Sequence, residues 1–524
     1  MKQTLSLIGV SFLSVVSSLA ADKKPNIILI LADDMRASGM NFLGKEQVQT
    51  PNLDKLAGES TVFTNAHIMG GTSGAVSMPS RAMLMTGKYL YNLEKQGATI
   101  PNSHTMIGET LQKAGYNTFH TGKWHSSYEA LNRCFKEGKA IFFGGMWDHW
   151  NVPLYDYHAD MNYGKRRPVI HNQAKSNKVE YDIGEYMYSG KHSVDIFTHE
   201  AVEYIQQQKD KNQPFFLSVA YMSPHDPRSM PDEYMQLYDQ SQIQLPPNFM
   251  EKHPFDNGEL EIRDEILAAI PRRPDEIKKH IREYYAMISH VDKRVGNIIQ
   301  TLKDNGLYEN TIIIFAGDNG LAVGQHGLMG KQNVYEHSVG VPLMIKAAAQ
   351  HTGKKTADLC YLIDVFPTLC DMLQLPVPQS VDGISLLSSL DGKEPVRDYL
   401  YYSYMDNQRG ISDGTWKLIE YHVNGKRTTQ LFNLKNDPWE RNDLSGQKKY
   451  EKTIQRLREK MAEEQKRTND PSGDPGYRPA RKSHPYRQRT GADAPASGSG
   501  QKSAGEPLPA AGRCQGGSWQ AVPL

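Results

Sequence analysis

Three short stretches of this 524-residue chain are apolar on both faces of an extended strand and run directly into polar residues. Residues 26–31 lead into Asp33-Asp34, residues 214–220 into a Ser-Pro-His-Asp loop, and residues 311–315 into Gly-Asp-Asn-Gly. Such runs are typical of central strands in a parallel sheet that helices cover on both faces. Ligands of these sheets bind beyond the carboxyl ends of the strands. The pattern predicts an α/β fold with a functional site at that edge.

Helical patterns separate these strands. Apolar residues recur every three or four positions from Ile277 to Ile298, which predicts a long amphipathic helix. A shorter helix is predicted over 107–114, ended by Gly115. Strands that alternate with helices indicate a large mixed, mostly parallel sheet sandwiched by helices. We assign this catalytic-type α/β domain to residues 21–395.

The pattern changes near Pro395. Short strand-like runs follow, and Asn424-Gly425 between two of them is a strong hairpin signal. Residues 449–465 carry apolar side chains on one helical face. We expect residues 396–468 to form a smaller antiparallel sheet with a terminal helix. Residues 469–524 are rich in Pro, Gly, Ser, Ala and Arg, a composition that predicts a disordered tail.

The N-terminus resembles an export signal. Lys2 precedes a short apolar core over 5–19, and Ser18-Leu19-Ala20 fits a cleavage site. The core is too short and too rich in serine for a stable membrane anchor. Residues 1–20 are therefore interpreted as a signal peptide, and the mature protein as periplasmic or secreted.

Charge and cysteine content exclude some classes of function. The chain has 60 basic and 59 acidic residues, a balance that gives no argument for nucleic-acid or membrane binding. Affinity for an anion must come from a local cluster of cations. Its four cysteines are too few and too scattered for a disulfide framework or a zinc site. Cys360 and Cys370 either pair or remain buried free thiols.

The polar residues after two of the strands are candidate metal ligands. Asp33, Asp34, Asp318 and Asn319 offer only oxygen donors, which favours Ca²⁺ or Mg²⁺ over zinc. Each pair has an ordinary alternative, since strand-end Asp residues cap helices and Asp-Asn-Gly forms turns. Because both pairs follow buried-type strands directly, the metal interpretation is favoured.

The sequence from Ser77 to Gly87 matches the S-x-P-S-R-x-x-x-[LM]-T-G signature of the type I sulfatases, members of the alkaline phosphatase superfamily. Taken locally, Ser77 and Pro79 also fit an ordinary helix start. The resemblance extends from about residue 25 to 465 and includes residues 50–57 and Tyr335-Glu336. On these motifs the chain resembles a sulfatase, which is a sulfuric ester hydrolase.

The resemblance implies a modified serine and one calcium ion. Ser77 would be oxidised to formylglycine by a serine-type, radical maturation enzyme, and the hydrated aldehyde would be the nucleophile. A hydrated aldehyde can expel sulfate after covalent attack, whereas a serine would remain as a stable sulfate ester. The residues that the resemblance implies for calcium are Asp33, Asp34, Asp318, Asn319 and the modified Ser77.

The resemblance also implies roles for five basic residues. Arg81 would steady the hydrated aldehyde, and His125 would take the proton that regenerates it. Lys123 and Lys331 would bind sulfate oxygens. His225, together with Lys331, would protonate the departing alcohol, because an alkoxide is a poor leaving group.

The group attached to the sulfate is less defined. Residues 142–150 form an aromatic, Gly-rich loop that either borders a sugar, with Asp148 or His149 on its hydroxyls, or packs on itself. The loop with Asp226 and Arg228 resembles that of carbohydrate-type sulfatases and makes both candidate substrate contacts. We expect an exo-acting sulfatase with a sulfated carbohydrate substrate. The alternatives are a choline or aryl sulfatase, a phosphoester hydrolase of the same superfamily, and a silent sulfated-glycan-binding protein.

Overall fold

A computed structural model describes residues 23–350 and 353–473. The predicted signal peptide, residues 474–524 of the predicted tail, and Cys514 lie outside the described residues. The strands are β1 Asn26–Ala32, β2 Thr61–His67, β3 Gly70–Gly71, β4 Asn117–Lys123, β5 Glu137–Phe142, β6 Arg167–Val169, β7 Glu180–Asp182, β8 Phe215–Ala220, β9 Thr311–Gly317, β10 Leu343–Lys346, β11 Lys354–Tyr361, β12 Leu400–Tyr404, β13 Gln408–Ser412, β14 Trp416–Val423 and β15 Lys426–Asn433. The helices are α1 Pro51–Ala57, α2 Ser77–Thr86, α3 Ile107–Lys113, α4 Tyr128–Cys134, α5 Ser193–Gln206, α6 Asp232–Met235, α7 Pro274–Asp304, α8 Glu336–Val339, α9 Val365–Met372, α10 Leu387–Leu390 and α11 Glu451–Arg467.

The large sheet has eight strands in the order β11-β2-β10-β9-β1-β8-β4-β5. Strand β10 runs antiparallel to both of its neighbours, and the other adjacent pairs are parallel. Strand β1 lies between β8 and β9, so that Ile28 is in register with Leu217 on one side and Ile313 on the other. This confirms the expected mixed, mostly parallel sheet and places all three predicted central strands next to one another.

Alternate residues of β1 enter two different cores, one on each face of the sheet. Ile27 belongs to a cluster with residues of α2, α3, α4 and α9. Ile28 belongs to a second cluster with residues of α1, α5 and α7. Full burial of such a side chain contributes about 2 kcal/mol, which explains why the strand is apolar from Ile27 to Ala32. The long helix α7 confirms the predicted periodicity.

The smaller sheet is built mainly from the C-terminal region. Its strand order is β15-β14-β13-β12-β3, and β12 to β15 pair antiparallel. Asn424 and Gly425 link β14 to β15 with φ values of 51° and 76°, as a tight hairpin with two left-handed residues requires. Strand β3 was not expected from the sequence. It pairs in parallel with β12, although it lies within residues 21–395, which were assigned to the larger domain.

The close approach of the Ser403 backbone explains why residue 70 of β3 is a glycine. A Cβ atom on Gly70 would lie 2.0 Å from the carbonyl oxygen of Ser403, and Gly70 has a φ of 103°. Both sheets belong to one compact unit.

Residues 469–473 of the predicted tail are ordered in the described structure. The Asp470 side chain is buried and accepts a 2.6 Å hydrogen bond from Nε of Arg409, and it also accepts one from the hydroxyl of Tyr401. The physical reason is that a charged residue in a polar sequence can still be bound by a buried guanidinium.

Two further findings concern cysteines and membranes. Within the described ranges, Cys134, Cys360 and Cys370 are free and buried, so Cys360 and Cys370 do not pair. Among the described helices, none combines the length and apolar character that crossing a bilayer needs.

Candidate active site

Four neighbouring strands deliver polar side chains to one edge of the large sheet. Asp33 and Asp34 follow β1, and Asp318 and Asn319 follow β9. Strand β4 ends at Lys123, and the loop after β8 carries His225. The parallel directions of these strands bring all four carboxyl ends together, which is the site that the sequence predicts.

Three buried carboxylates form the centre of the site. Ligand oxygens of Asp33, Asp34 and Asp318 all lie within 4.8 Å of one another. The backbone N–H of Asp34 donates a 3.0 Å hydrogen bond to Oδ1 of Asp318. The amide Nδ2 of Asn319 donates to Oδ1 of Asp34 at 2.7 Å, so its carbonyl oxygen points elsewhere in the site.

Each carboxylate has a cationic partner. Nζ of Lys123 lies 2.5 Å from Oδ2 of Asp33, and Nζ of Lys331 lies 2.6 and 2.8 Å from the two carboxylate oxygens of Asp34. Nε of Arg81 donates to Oδ2 of Asp318 at 2.8 Å. These ion pairs are almost completely buried.

Burial and neighbouring charges shift the pKa values of Asp33 and Asp318 in opposite directions. Burial alone would raise the pKa of Asp33, but Lys123, His225, Arg81 and Lys331 outweigh it and hold that pKa well below its usual range. Burial and the neighbouring charge of Asp33 raise the pKa of Asp318 to about 6.

Ser77 is the first residue of α2 and faces the acidic centre. Its Oγ lies 2.9 Å from Oδ1 of Asp33 and 3.0 Å from Oδ1 of Asn319. One hydroxyl proton can serve only one of these two acceptors. Ser80 anchors the same helix turn, because its hydroxyl donates a 2.5 Å hydrogen bond to the carbonyl oxygen of Asp318.

The donor atoms around Ser77 fit a hard divalent cation. Three carboxylates and one amide oxygen converge, and two of these oxygens point at the Ser77 oxygen at hydrogen-bonding distance. Oxygen-only sets of this kind suit Ca²⁺ or Mg²⁺. The residues that could hold the ion are therefore Asp33, Asp34, Asp318 and Asn319.

Two histidines flank this centre. Nδ1 of His225 lies 2.7 Å from the carbonyl oxygen of Asp226, and Nε2 lies 3.6 Å from Oδ2 of Asp34. His125 has a left-handed φ of 63°, and its buried Nδ1 has no partner among the described residues. Burial and the charges of Lys123 and Arg81 lower the pKa of His125 well below its usual value, which favours the neutral imidazole.

The predicted substrate contacts separate into different environments. His149 is completely buried behind His225: its Nε2 lies 2.9 Å from the carbonyl oxygen of His225, and its Nδ1 lies 2.8 Å from Oγ of Ser193. The prediction that His149 binds sugar hydroxyls is therefore wrong, because packing against α5 and the His225 loop removes it from solvent. Asp148 is exposed, and its carboxylate accepts hydrogen bonds from Trp150 and Asn151 of its own loop.

Asp226 and Arg228 lie beyond His225. Asp226 forms an ion pair with Arg263, and Nη1 of Arg228 lies 3.0 Å from Nδ1 of His280. The sequence analysis missed Arg263 and its neighbour Asp264. They belong to a charged stretch without regular periodicity, which sequence alone does not distinguish from a solvated surface loop.

Comparison with known proteins shows the family of this chain. The sulfatase family profile matches residues 25–375, and the profile of the N-sulphoglucosamine sulphohydrolase C-terminal region matches residues 324–467. An N-acetylglucosamine-6-O-sulfatase from Bacteroides thetaiotaomicron is 25% identical, covering 86% of this chain and 88% of the relative. An ulvan-active sulfatase from Formosa agariphila is 27% identical, covering 84% and 81% respectively.

A solved structure shares the fold. It was determined in complex with its substrate D-glucosamine-2-N,6-O-disulfate, and it aligns with a TM-score of 0.68 at 23% identity, covering 87% of this chain and 100% of the other. The fold and the site define a hydrolase of the alkaline phosphatase superfamily. Within that superfamily, the chain belongs to the sulfatase family and is a sulfuric ester hydrolase.

Proposed function

We propose that this protein is an exo-acting sulfatase that hydrolyses sulfate monoesters of a glycan, using formylglycine at position 77 and one calcium ion. The observation that carries the proposal is the position of the Ser77 oxygen, between Asp33 and Asn319 and beside the carboxylate cluster. The named activities of the two relatives on sulfated carbohydrates support the substrate class.

The basic residues have separate tasks in this proposal. Lys123 and Lys331 now neutralise Asp33 and Asp34. If those carboxylates held a divalent cation, both ammonium groups would be available to sulfate oxygens, where they would stabilise the charge that develops in the transition state. Calcium, when bound, would withdraw negative charge from the sulfate and the attacking oxygen. Formylglycine would supply a hydrated aldehyde, which would act as the nucleophile and could expel sulfate after the attack.

Proton transfer is assigned to the two histidines. His225 presents Nε2 to the site while Nδ1 faces the Asp226 carbonyl, an orientation suited to protonating the leaving oxygen. His125 is neutral and takes the proton that restores the aldehyde. Arg81 stays fixed by Asp318 and by the carbonyl oxygen of Lys123, at 2.8 Å each, and steadies the nucleophile.

Burial of the site supports exo action. Ser77 exposes 2% of its surface and Lys123 1%, so access to these side chains is restricted. A sulfate on a terminal sugar meets this restriction more readily than one in the middle of a polymer. We also propose that the protein works in the periplasm or outside the cell, because residues 1–20 resemble a signal peptide.

Mass spectrometry of the Ser77 peptide tests the modification. Protein from a host with a serine-type maturation enzyme should show a loss of about two mass units, the two hydrogens removed by oxidation of the alcohol. The Ser77→Ala variant from the same host is the control. An unmodified Ser77 despite a competent maturation enzyme contradicts the catalytic proposal and favours a silent glycan-binding protein.

A substrate panel tests the specificity. The modified enzyme should release sulfate from sulfated mono- and oligosaccharides faster than from choline sulfate, aryl sulfates or phosphate esters. For exo action, release from an oligosaccharide should stop after its terminal residue. Release of internal sulfates at the same rate contradicts exo action, and preference for phosphate esters contradicts the sulfatase assignment of the site.

A further inference from the structure

A charged segment crosses the site beside His225. Arg263 lies between two carboxylates: it forms an ion pair with Asp226, and its Nη1 lies 3.2 Å from Oδ1 of Asp264. Arg263 keeps 33% of its side chain exposed, compared with 16% for Asp264 and 7% for Asp226. These three side chains are partly open and can form hydrogen bonds beside His225. We call them the rim.

A buried clamp fixes this segment. The next residue, Glu265, accepts hydrogen bonds of 2.9 Å from the backbone N–H groups of both Met329 and Gly330, and it forms a buried ion pair with Arg272. A Cβ atom on Gly330 would lie 3.0 Å from Cβ of Asp264. The segment thus packs directly against the residue that precedes Lys331.

The second carboxylate oxygen of Asp264 also contacts a residue next to the site. Nε2 of Gln332, the neighbour of Lys331, donates to Oδ2 of Asp264 at 2.8 Å. At the opposite end of the rim, Oδ1 of Asp226 lies 3.5 Å from Nδ1 of His225. The rim consequently connects His225, the proposed acid for the leaving oxygen, with the neighbour of Lys331, a proposed sulfate ligand.

We propose that Asp226, Arg263 and Asp264 form the subsite that binds neutral hydroxyl groups of the sugar ring bearing the sulfate. This inference rests on the proposed function and defines its substrate class. Carboxylates that already accept one hydrogen bond keep lone pairs for hydroxyl donors, and the guanidinium supplies donors for hydroxyl oxygens. A site built for such groups discriminates strongly against leaving groups that lack them.

The charge of the subsite sharpens the prediction. Two carboxylates offset the guanidiniums of Arg263 and the nearby Arg228. The Nε and Nη2 atoms of Arg228 are buried and have no hydrogen-bond partner among the described residues. The subsite has no positive excess for a second sulfate or a carboxylate on the same ring, and the two carboxylates repel one.

Paired substrates test the subsite in the modified holoenzyme. We compare the best sugar sulfate of the panel with 4-methylumbelliferyl sulfate, which carries no hydroxyl groups, in wild type, Arg263→Ala and Asp264→Asn. In both variants the KM for the sugar sulfate should rise at least about tenfold, and the ratio of sugar to aryl kcat/KM should fall by a similar factor. Arg273→Ala is the matched control, because its guanidinium is 72% exposed and pairs only with Glu276 among the described residues.

A binding measurement separates this inference from the proposed function. Calorimetry with the unsulfated form of the best sugar, or with N-acetylglucosamine and galactose if no sulfate ester is hydrolysed, should show weaker binding to Arg263→Ala than to wild type. An unchanged KM and unchanged sugar binding in both variants overturn the subsite. Loss of sugar binding in an enzyme that cleaves no sulfate ester supports the subsite and contradicts the proposed function.

A doubly sulfated sugar tests the charge argument. Wild type should hydrolyse it at least about tenfold less efficiently than the singly sulfated form, and Asp264→Asn should reduce that difference by removing one of the two repelling carboxylates. Preference of wild type for the doubly sulfated sugar overturns the assignment to neutral hydroxyl groups.

Discussion

At the scale of single residues, each of the two lysines of the site has two possible partners. It pairs with a carboxylate in this structure and is proposed to bind a sulfate oxygen during the reaction. Lys123 is completely buried against Asp33, and burial lowers its pKa while the charge of Asp33 raises it. For Lys331, the charge of Asp34 overcomes burial and raises the pKa above its usual value. Both ammonium groups lie beside the carboxylates that would hold a divalent cation. With that cation bound, they could turn to an anion next to it.

Replacement of Lys123 should therefore lower the catalytic efficiency. We expect Lys123→Met to lower kcat/KM for the best sulfate ester by about 100-fold or more, since it removes a donor aimed at developing charge. Steady-state kinetics on protein whose Ser77 modification is verified measures this. Lys136→Met, at an exposed position, is the control, and a change of less than about threefold in Lys123→Met contradicts the role of Lys123.

At the scale of secondary-structure elements, Gly122 controls how β4 delivers Lys123. Its φ is 99°, and a Cβ atom there would lie 2.0 Å from the carbonyl oxygen of Ala220 in β8. No side chain fits this approach without separating the two strands. The register of β4 on β8, and with it the position of the catalytic edge, depends on glycine at this point.

Gly122→Ala should consequently destabilise the fold and reduce activity. Gly115 is a matched control, because its φ of 91° is similar but nothing lies within 4 Å of its added Cβ. The left-handed backbone costs each alanine about 1–2 kcal/mol, so the excess loss in Gly122→Ala reports the clash. Denaturant unfolding measures both, and equal losses in the two variants contradict the argument.

At the scale of the whole molecule, the acidic centre links metal binding to stability. Three carboxylates are buried within 4.8 Å of one another, and a bound divalent cation stabilises only the folded arrangement. We expect EGTA to lower both the melting temperature and the activity, and excess Ca²⁺ to restore both. Asp318→Asn should reduce the shift in melting temperature. A melting temperature that is insensitive to EGTA and Ca²⁺ contradicts the calcium site.

Buried histidines predict instability in acid. Burial is the first cause that lowers the pKa of His120 to about 3, of His149 to about 4, of His192 to about 2, of His253 to about 4 and of His326 to about 3. In the unfolded chain these groups bind protons near pH 6.5, whereas in the fold they stay neutral. Protons therefore favour the unfolded state, and stability falls as the pH drops below about 6.5.

Denaturant unfolding between pH 7.5 and 5 measures this effect. Each such histidine contributes on the order of 1 kcal/mol per pH unit well below its unfolded pKa. His120→Gln should flatten the dependence, while replacement of the exposed His171 by Gln should not. Stability that stays constant or rises as the pH falls from 6.5 to 5 contradicts the prediction.

The sequence by itself determined the features that depend on near neighbours along the chain. Apolar runs that end in Asp33-Asp34 and in Asp318-Asn319 identified central strands and their functional edge. Asn424-Gly425 identified a hairpin because two adjacent residues with positive φ are needed there. The Ser77 run identified the family, since its spacing is set within the single helix α2 and its C-terminal glycine.

Only the tertiary structure decided which distant residues meet. His149 looked like a sugar ligand, but packing of its loop against α5 buried it behind His225. Arg263 and Asp264 carry no sequence signal of a site, but the Glu265 clamp brought them beside His225. Strand β3 joined the second sheet because Gly70 tolerates the Ser403 backbone. Contacts of this kind depend on the packing of elements far apart in sequence, which no local pattern encodes.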